Sequence, residues 1–356
     1  MSSSLQNYVT NLARLLHGDR ALRPLVAVYY VTMQCNLNCA YCEDFGQRRN
    51  AQALAPLPLE EALRALRIVR SGVDHLILTG GEPLLHPDIV SLVTRARHEL
   101  RFRHLTLQTN GLLLPQYEAL LSAVDRLVVS LDSTDAGGWS GLLGAPRDLV
   151  QAILDNVQSY AGRQREFGFQ MAVNCVLAPE TLSEARRVLD FGRERGLLVS
   201  FSPQAVNNWP RYELLVSDEY KTLVRELIAL KRRGAPILGS MAYLHTLLHM
   251  PPYSCYPVLI PRVMPNGELV YPCWPIEKAG NSHGGRPCSL LEVASWDDAL
   301  ERAVQVYGQP PRVCTSCFQQ CYVECSLMQA RPLSLLSEWL LYAASRRGGV
   351  ATYAPG

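Results

Sequence analysis

The sequence predicts an α/β protein: six strand–helix units forming a partial (β/α)6 TIM-type barrel, followed by a small cysteine-rich domain. Three observations predict it. Strand-like and helix-like segments alternate from about residue 25 to residue 235. The strands read as continuous apolar runs, which suits a parallel sheet covered on both faces. Beyond residue 236 the character changes, and seven of the eleven cysteines fall between there and residue 330. Six units are fewer than the eight that close a full barrel, and in such folds the reactive groups sit on the loops after the strands.

The first strand is "PLVAVYYVT", a β-rich apolar run. "PLEEALRALRIVRSG" follows with helical spacing and ends at Gly72. "DHLILTG" is the second strand, and "HPDIVSLVTRARHEL" the second helix, opened by a proline in its first turn. The third pair is "HLTLQTNG" and "PQYEALLSAV", and the fourth is "DRLVVSLDS" and "PRDLVQAILDNVQSYAG". "FQMAVNCVLA" and "LLVSFSP" are strands five and six, separated by the helix "PETLSEARRVLDFGRERG". A last helix, "SDEYKTLVRELIALKRRGAP", leads to a boundary near Gly234. The expected organisation is an N-terminal amphipathic helix over 1–24, the barrel over 25–235, the cysteine-rich domain over 236–330 and a C-terminal helix and tail over 331–356.

The chain of 356 residues is long enough to bury a sizeable core. A net charge of +2 with no concentrated basic face argues against a nucleic-acid partner. No secretory signal opens the sequence, and no stretch approaches the length of a membrane span, so a cytoplasmic place is expected. In that compartment eleven cysteines point to metal rather than disulfides. Leu5, Tyr8, Val9, Leu12, Leu15 and Leu16 form one terminal apolar stripe, and Leu335, Leu336, Trp339, Leu340 and Ala343 another. Both are expected to pack on the barrel, with peripheral membrane contact as the alternative.

"CNLNCAYC" places Cys35, Cys39 and Cys42 in the loop after the first strand. Closed zinc and iron–sulfur sites take four protein ligands, so three leave one position open. Three thiolates can hold three irons of a 4Fe–4S cube and leave the fourth iron for an outside ligand. A zinc site completed by a distant residue is the rival for the triplet alone.

The triplet, with Tyr41 before its third cysteine, resembles the radical S-adenosylmethionine (SAM) superfamily. Three further motifs follow in the order of that family: "TGGEP" (Thr79 to Pro83), "TNG" (Thr109 to Gly111) and "SLDS" (Ser130 to Ser133). The resemblance covers residue 26 to about 205 and implies that Tyr41, Gly80, Gly81, Glu82, Pro83, Asn110, Ser130 and Asp132 bind SAM. Gly80 and Gly81 suit a close backbone approach to the methionine amino group. Glu82 turns either toward that amine or into the core. Asn110, Ser130 and Asp132 are short polar groups suited to ribose hydroxyls and the methionine carboxylate, although Asn110 and Gly111 alone would read as an ordinary turn.

The later cysteines form a second field. Cys255 and Cys273 flank a Pro265-Asn266-Gly267 turn between two short strands, and "CTSCFQQCYVEC" supplies Cys314, Cys317, Cys321 and Cys325. Residues 253 to 328 resemble the auxiliary-cluster domains called SPASM and twitch, without the longer cysteine gap and the further cysteine of the full form. The spacing is close to a ferredoxin run, whose fourth cysteine often serves another cluster. By that logic Cys314, Cys317 and Cys321 share one cube and Cys325 joins Cys255 and Cys273 on another; in the alternative, one complete four-cysteine cluster forms, with Cys255, Cys273, Cys314 and Cys317 converging on it, and some thiols are spare. At least one auxiliary cluster is expected, with structural zinc as the alternative. Cys288 is the weakest ligand candidate. Cys175 reads as core, and His245 and His249 as core or surface.

The resemblance implies that one electron from the first cluster cleaves SAM to a 5′-deoxyadenosyl radical, which takes a hydrogen from the substrate. It also implies an electron donor such as flavodoxin or ferredoxin. No residue stands out as a catalytic acid or base, and no cobalamin-binding domain is evident. The substrate expected is a non-peptide metabolite, a hydrophobic one of lipid or tetrapyrrole-like kind included, with a ribosomally made peptide as the second reading. A non-enzymatic electron-transfer or zinc protein explains the cysteines and leaves the three other motifs without a task.

Overall fold

The structure, a computed structural model, describes residues 2–276, 288–310 and 317–332. Cys314 and the expected apolar stripe of Leu335 to Ala343 lie outside the described residues. Six strands lie side by side in chain order, all parallel: β1 (Ala27–Thr32), β2 (His75–Gly80), β3 (His104–Thr109), β4 (Arg126–Ser130), β5 (Gln170–Leu177) and β6 (Leu198–Pro203). A small antiparallel pair follows, β7 (Ala205–Val206) and β8 (Trp209–Pro210). The main sheet takes in strands from beyond residue 236 as well. β9 (Ile237–Leu238) pairs parallel with β6, β10 (Arg262–Val263) pairs parallel with β1, and β11 (Leu269–Val270) closes that edge antiparallel to β10. The chain around the second cysteine field therefore hydrogen-bonds to the strand that delivers the first.

The connections are α1 (Ser3–Leu16), α2 (Leu59–Gly72), α3 (Ile89–His98), α4 (Ala136–Leu143), α5 (Arg147–Gly162), the short α6 (Gln164–Phe167) and α7 (Leu182–Glu194). Then come α8 (Tyr212–Val216), α9 (Asp218–Arg232), α10 (Met241–His249), α11 (Trp274–Ile276), α12 (Trp296–Tyr307) and α13 (Gln320–Ala330). The crossover helices bury one apolar face each: Leu63, Leu66 and Val69 on α2, Val150, Ile153 and Val157 on α5, and Ala185, Val188 and Leu189 on α7. Cys175 is fully buried in this core, as its place in an apolar strand predicts, and His245 and His249 are exposed on α10.

Two expectations fail. Residues 115–124 form no α-helix but two 3-10 turns, Leu114–Gln116 and Glu118–Ala123. Pro115 sits second in the first, and Tyr117, at φ −127° and ψ 25°, interrupts the helical run. The stripe on α1 does not form that helix's inner face. Asn7 and Asn11 do, because carbonyls of Pro24, Gly72 and Arg23 stand there to accept from their amides at 2.8–2.9 Å. Leu15 packs against the core, but Leu5, Val9 and Leu16 are each at least half exposed. Asp74, at the foot of β2, caps this helix by accepting from the backbone of Ser3 and Ser4. Among the described residues no helix is long and apolar enough to cross a membrane.

Candidate functional site

The loop after β1 carries the triplet and is held from three sides. Asn50 clamps Cys35, its side chain accepting from the Cys35 amide and donating to the Cys35 carbonyl, both at 3.0 Å. The C-terminal carbonyls of α4, left open by the helix end, accept from the loop: Ala40 N to Leu142 O at 2.8 Å and Asn38 N to Leu143 O at 3.2 Å. From the β2 side, Gly81 N donates to Thr32 O and Glu82 N to Gln34 O. A Cβ on Gly80 would stand 2.2 Å from Thr32 O, and one on Gly81 2.3 Å from Gln34 O. The two glycines therefore let the end of β2 lie flush against the cysteine loop.

Glu82 turns into the core. Its fully buried carboxylate accepts from Leu84 N, Thr109 Oγ1 and Asn110 N at 2.7–3.0 Å, tying "GGEP" to "TNG". Burial pushes its pKa up to about 7 against the pull of those three donors. Asn110 donates through its amide to Asn36 Oδ1 at 2.7 Å, which brings the β3 end onto the cysteine loop. Asp132 is also fully buried; it accepts from the Tyr41 hydroxyl and from Val176 N, and burial lifts its pKa to about 6.

These bonds gather Cys35, Cys39 and Cys42 with Asn110, Ser130 and Asn174 around one cavity of about 230 Å³ at the C-terminal ends of the strands. Tyr41, Phe45, Gly80 and Gly81 complete its wall. Of the predicted SAM contacts, then, Tyr41, Gly80, Gly81, Asn110 and Ser130 reach the cavity. Glu82, Pro83 and Asp132 are buried and do not line it; Glu82 holds Asn110 and Asp132 holds Tyr41. Burial, then the Glu82 carboxylate and the Cys42 thiol, push Cys35 up to about 11, while burial and the thiols of Cys42 and Cys35 push Cys39 up to about 12. Three thiolates side by side repel one another, and a bound cation relieves that repulsion.

The second field gathers at the β10 edge. Cys255, Cys273 and Cys317 are buried with Val26, Val28, Ile260 and Tyr322, and Cys321 and Cys325, on α13, pack against them. The β10–β11 hairpin confirms the expected strand–turn–strand around Gly267. Cys288 lies elsewhere, in the main core, with its thiol 3.5 Å from the Ala299 carbonyl. The ten described cysteines are all thiols, with no disulfide among them. Two links join the fields. Trp274, next to Cys273, donates to Asp44 of the first loop at 3.2 Å and stacks on Tyr30, which stacks in turn on Phe45. The turn between β7 and β8 touches both: Asn207 N donates to Glu43, and Asn208 O accepts from Phe318 N.

A family model described as the Radical SAM superfamily matches residues 29–192. The GTP 3′,8-cyclase 1 of Pseudomonas aeruginosa is 31% identical over 230 residues, 62% of this chain and 67% of that protein. The chain belongs to the radical SAM superfamily. A GTP 3′,8-cyclase of Mycobacterium marinum is 32% identical over 217 residues, and the match spans 58% of either protein. Among solved structures, Streptococcus suis SuiB bound to its precursor peptide SuiA aligns with a TM-score of 0.60 at 21% identity, covering 82% of this chain and 68% of that one. The anSMEcpe structure with bound AdoMet aligns at 0.58 and 13% identity, covering 91% and 99%. These two likenesses concern the fold. The radical SAM superfamily uses a 4Fe–4S cluster and SAM, and this chain is an enzyme of it.

The residues present fit that cluster: three thiols on one loop face a cavity whose other polar groups are neutral. Among the described residues no three His, Cys, Asp or Glu side chains close on the point a single metal ion would occupy. A cube receives its thiolates at separate corners. Sequence reasoning passed over Gln108, Asn174, Asn50 and all of α4. Asn174 carried a signal, an asparagine interrupting the apolar run "MAVNCVLA".

Proposed function

We propose that this radical SAM enzyme takes a hydrogen from a small polar, non-peptide metabolite held in the concave face of the sheet, and that its second cysteine field holds an auxiliary iron–sulfur cluster. The reading rests on one observation above the rest. The three loop thiols share a cavity with hydrogen-bonding groups from successive strand ends: Thr79, Gln108, Asn110, Ser130 and Asn174. Cys35, Cys39 and Cys42 would ligate three irons and leave the fourth for SAM. When bound, the cluster and SAM supply the 5′-deoxyadenosyl radical. Tyr41 and Phe45 offer ring faces for the adenine, and Ser130 offers a hydroxyl for the ribose. Ser200 donates to Asn174 Oδ1 at 2.6 Å, which fixes the carboxamide that would meet a polar substrate. Leu37 and Trp139 close the apolar side and keep water from the radical.

Four of Cys255, Cys273, Cys314, Cys317, Cys321 and Cys325, Cys321 among them, would ligate the auxiliary cluster. Two buried groups support a guest there. Among the described residues the Tyr253 hydroxyl meets the thiols of Cys255 and Cys317, and burial and then those thiols push its pKa up. Among the described residues Arg262 Nε meets no acceptor.

The test uses anaerobically reconstituted protein with SAM, a reductant and a small-molecule extract. Stimulation of 5′-deoxyadenosine release that survives peptidase treatment of the extract supports a non-peptide substrate. Stimulation abolished by peptidase favours peptide maturation, the activity that the fold likeness to SuiB would suggest. Release that no fraction stimulates, with no iron at the triplet, sinks the reading.

A further inference from the structure

Arg262, on β10, is a buried cation, 8% exposed. Its Nη1 donates to the Tyr30 hydroxyl at 2.9 Å, and its Nη2 to Gln319 Oε1 at 3.1 Å. The same Nη2 stands 2.9 Å from Cys321 Sγ. Its guanidinium carbon lies 4.8 Å from the centre of the Tyr322 ring and 5.9 Å from that of Tyr30. Burial works against its charge, and Tyr30, Tyr322 and Cys321 favour it; among the described residues no carboxylate stands with these groups. Taking a guanidinium out of water without an anion is costly. Tyrosine faces and hydroxyls repay part of that cost, and a sulfur in hydrogen-bond contact is the group here able to carry a negative charge. Two elements hold the pair together, since Arg262 is fixed by the ladder of β1 and β10 and Cys321 by the first turn of α13.

We propose that Arg262 is the positioning residue and counter-charge of the second cysteine field, donating to the Cys321 sulfur when Cys321 ligates the auxiliary cluster and thereby raising that cluster's reduction potential. The proposal rests on the auxiliary-cluster reading above. A cluster on cysteine thiolates is anionic, and reduction adds a further negative charge. A buried cation against a ligand sulfur therefore favours the reduced form, and burial protects the effect from salt. Tyr30 has an orienting role: its hydroxyl holds Nη1 while its ring stacks between Phe45 and Trp274.

The test is a redox titration, followed by electron paramagnetic resonance, of full-length protein in which Cys35, Cys39 and Cys42 are alanine, so that the second field gives the signal. Arg262→Gln keeps a donor and removes the charge; Arg262→Lys keeps the charge. The expected result is iron retained in both. At fixed poise the reduced-to-oxidised ratio should fall about tenfold or more in Arg262→Gln, the scale of one charge-assisted hydrogen bond, and stay within about threefold of the parent in Arg262→Lys. Iron lost from the glutamine variant but kept by the lysine variant also supports the counter-charge role. An unchanged ratio in Arg262→Gln overturns it. So does an equal shift, or an equal loss of iron, in both variants, because the shape of the arginine and not its charge would then matter. A parent that holds no iron in this background fails differently: it removes the auxiliary cluster itself and Arg262's role with it.

Discussion

The two cysteine fields use one residue type for opposite ends. Cys39 and Cys42 are half-buried on a loop that faces an open cavity, and the loop is pinned from outside by Asn50, α4 and the end of β2. Cys255, Cys273 and Cys317 are buried among valines, an isoleucine and a tyrosine, and Arg262 stands against Cys321, which packs on them. The open field suits a cluster that must admit a cosubstrate, and the closed field one that only exchanges electrons. The difference lies less in the cysteines than in what surrounds them: neutral polar strand ends at the first, apolar side chains and a cation at the second.

The sharpest way to break this contrast is to empty the open field. Replacing Cys35, Cys39 and Cys42 together by alanine should remove about four irons, the content of one cube, and lower 5′-deoxyadenosine release by about a thousandfold or more, to the uncatalysed background. Iron analysis and chromatography of the quenched reaction check both. Cys273→Ala should do the reverse, losing iron from the second field while SAM cleavage survives within a few-fold. Cys288→Ala should leave both iron pools intact, because its thiol meets the Ala299 carbonyl in the main core, and should cost about 1 kcal/mol of stability at most.

The parts legible in the sequence were those with a fixed local pattern. The alternation of apolar runs and helical spacing gave the six strands β1 to β6, and the cysteine spacing with the three strand-end motifs located the cavity. What the sequence could not give depends on partners distant in the chain. The pairing of β10 with β1 joins residues more than two hundred apart, and no periodicity announces a two-residue strand. Glu82 and Asp132 carry the right chemistry for a ligand, yet their acceptors are filled by Leu84, Thr109, Asn110, Tyr41 and Val176. The helix α4, "AGGWSGLL", was passed over; Asp135 starts it by accepting from Gly137 N and Gly138 N.

Smaller changes probe how the open field is held. Gly81→Ala would push a Cβ against Gln34 O and should cost about 1–3 kcal/mol, with a matching drop in iron at the triplet and none in the second field. Urea midpoints and iron content of the same samples measure the two effects. Glu82→Gln should cost about 1–3 kcal/mol, because both carboxylate oxygens accept backbone or hydroxyl donors and either orientation of a carboxamide turns an NH2 onto one of them. The same carboxyl gives the parent a pH signature. Its folded pKa of about 7 stands above the unfolded value of 4.5, so its proton is held more tightly in the folded chain. Its stabilising contribution is complete below pH 4.5 and is lost as the pH rises to about 7, on the order of 3 kcal/mol. Asp132, with a folded value of about 6, adds in the same direction. Urea midpoints between pH 5 and 8 should fall as the pH rises in the parent and fall less in Glu82→Gln.

The central claim is that the three-cysteine field leaves one iron open and that SAM takes it. Electron–nuclear double resonance of reduced Cys273→Ala protein, with SAM carrying an isotope-labelled amino nitrogen, reads that bond directly. A nitrogen coupling that appears with labelled SAM, and vanishes with the triplet replaced by alanine, is the predicted result. A cluster signal at the triplet that SAM leaves unchanged, with no nitrogen coupling, would contradict it.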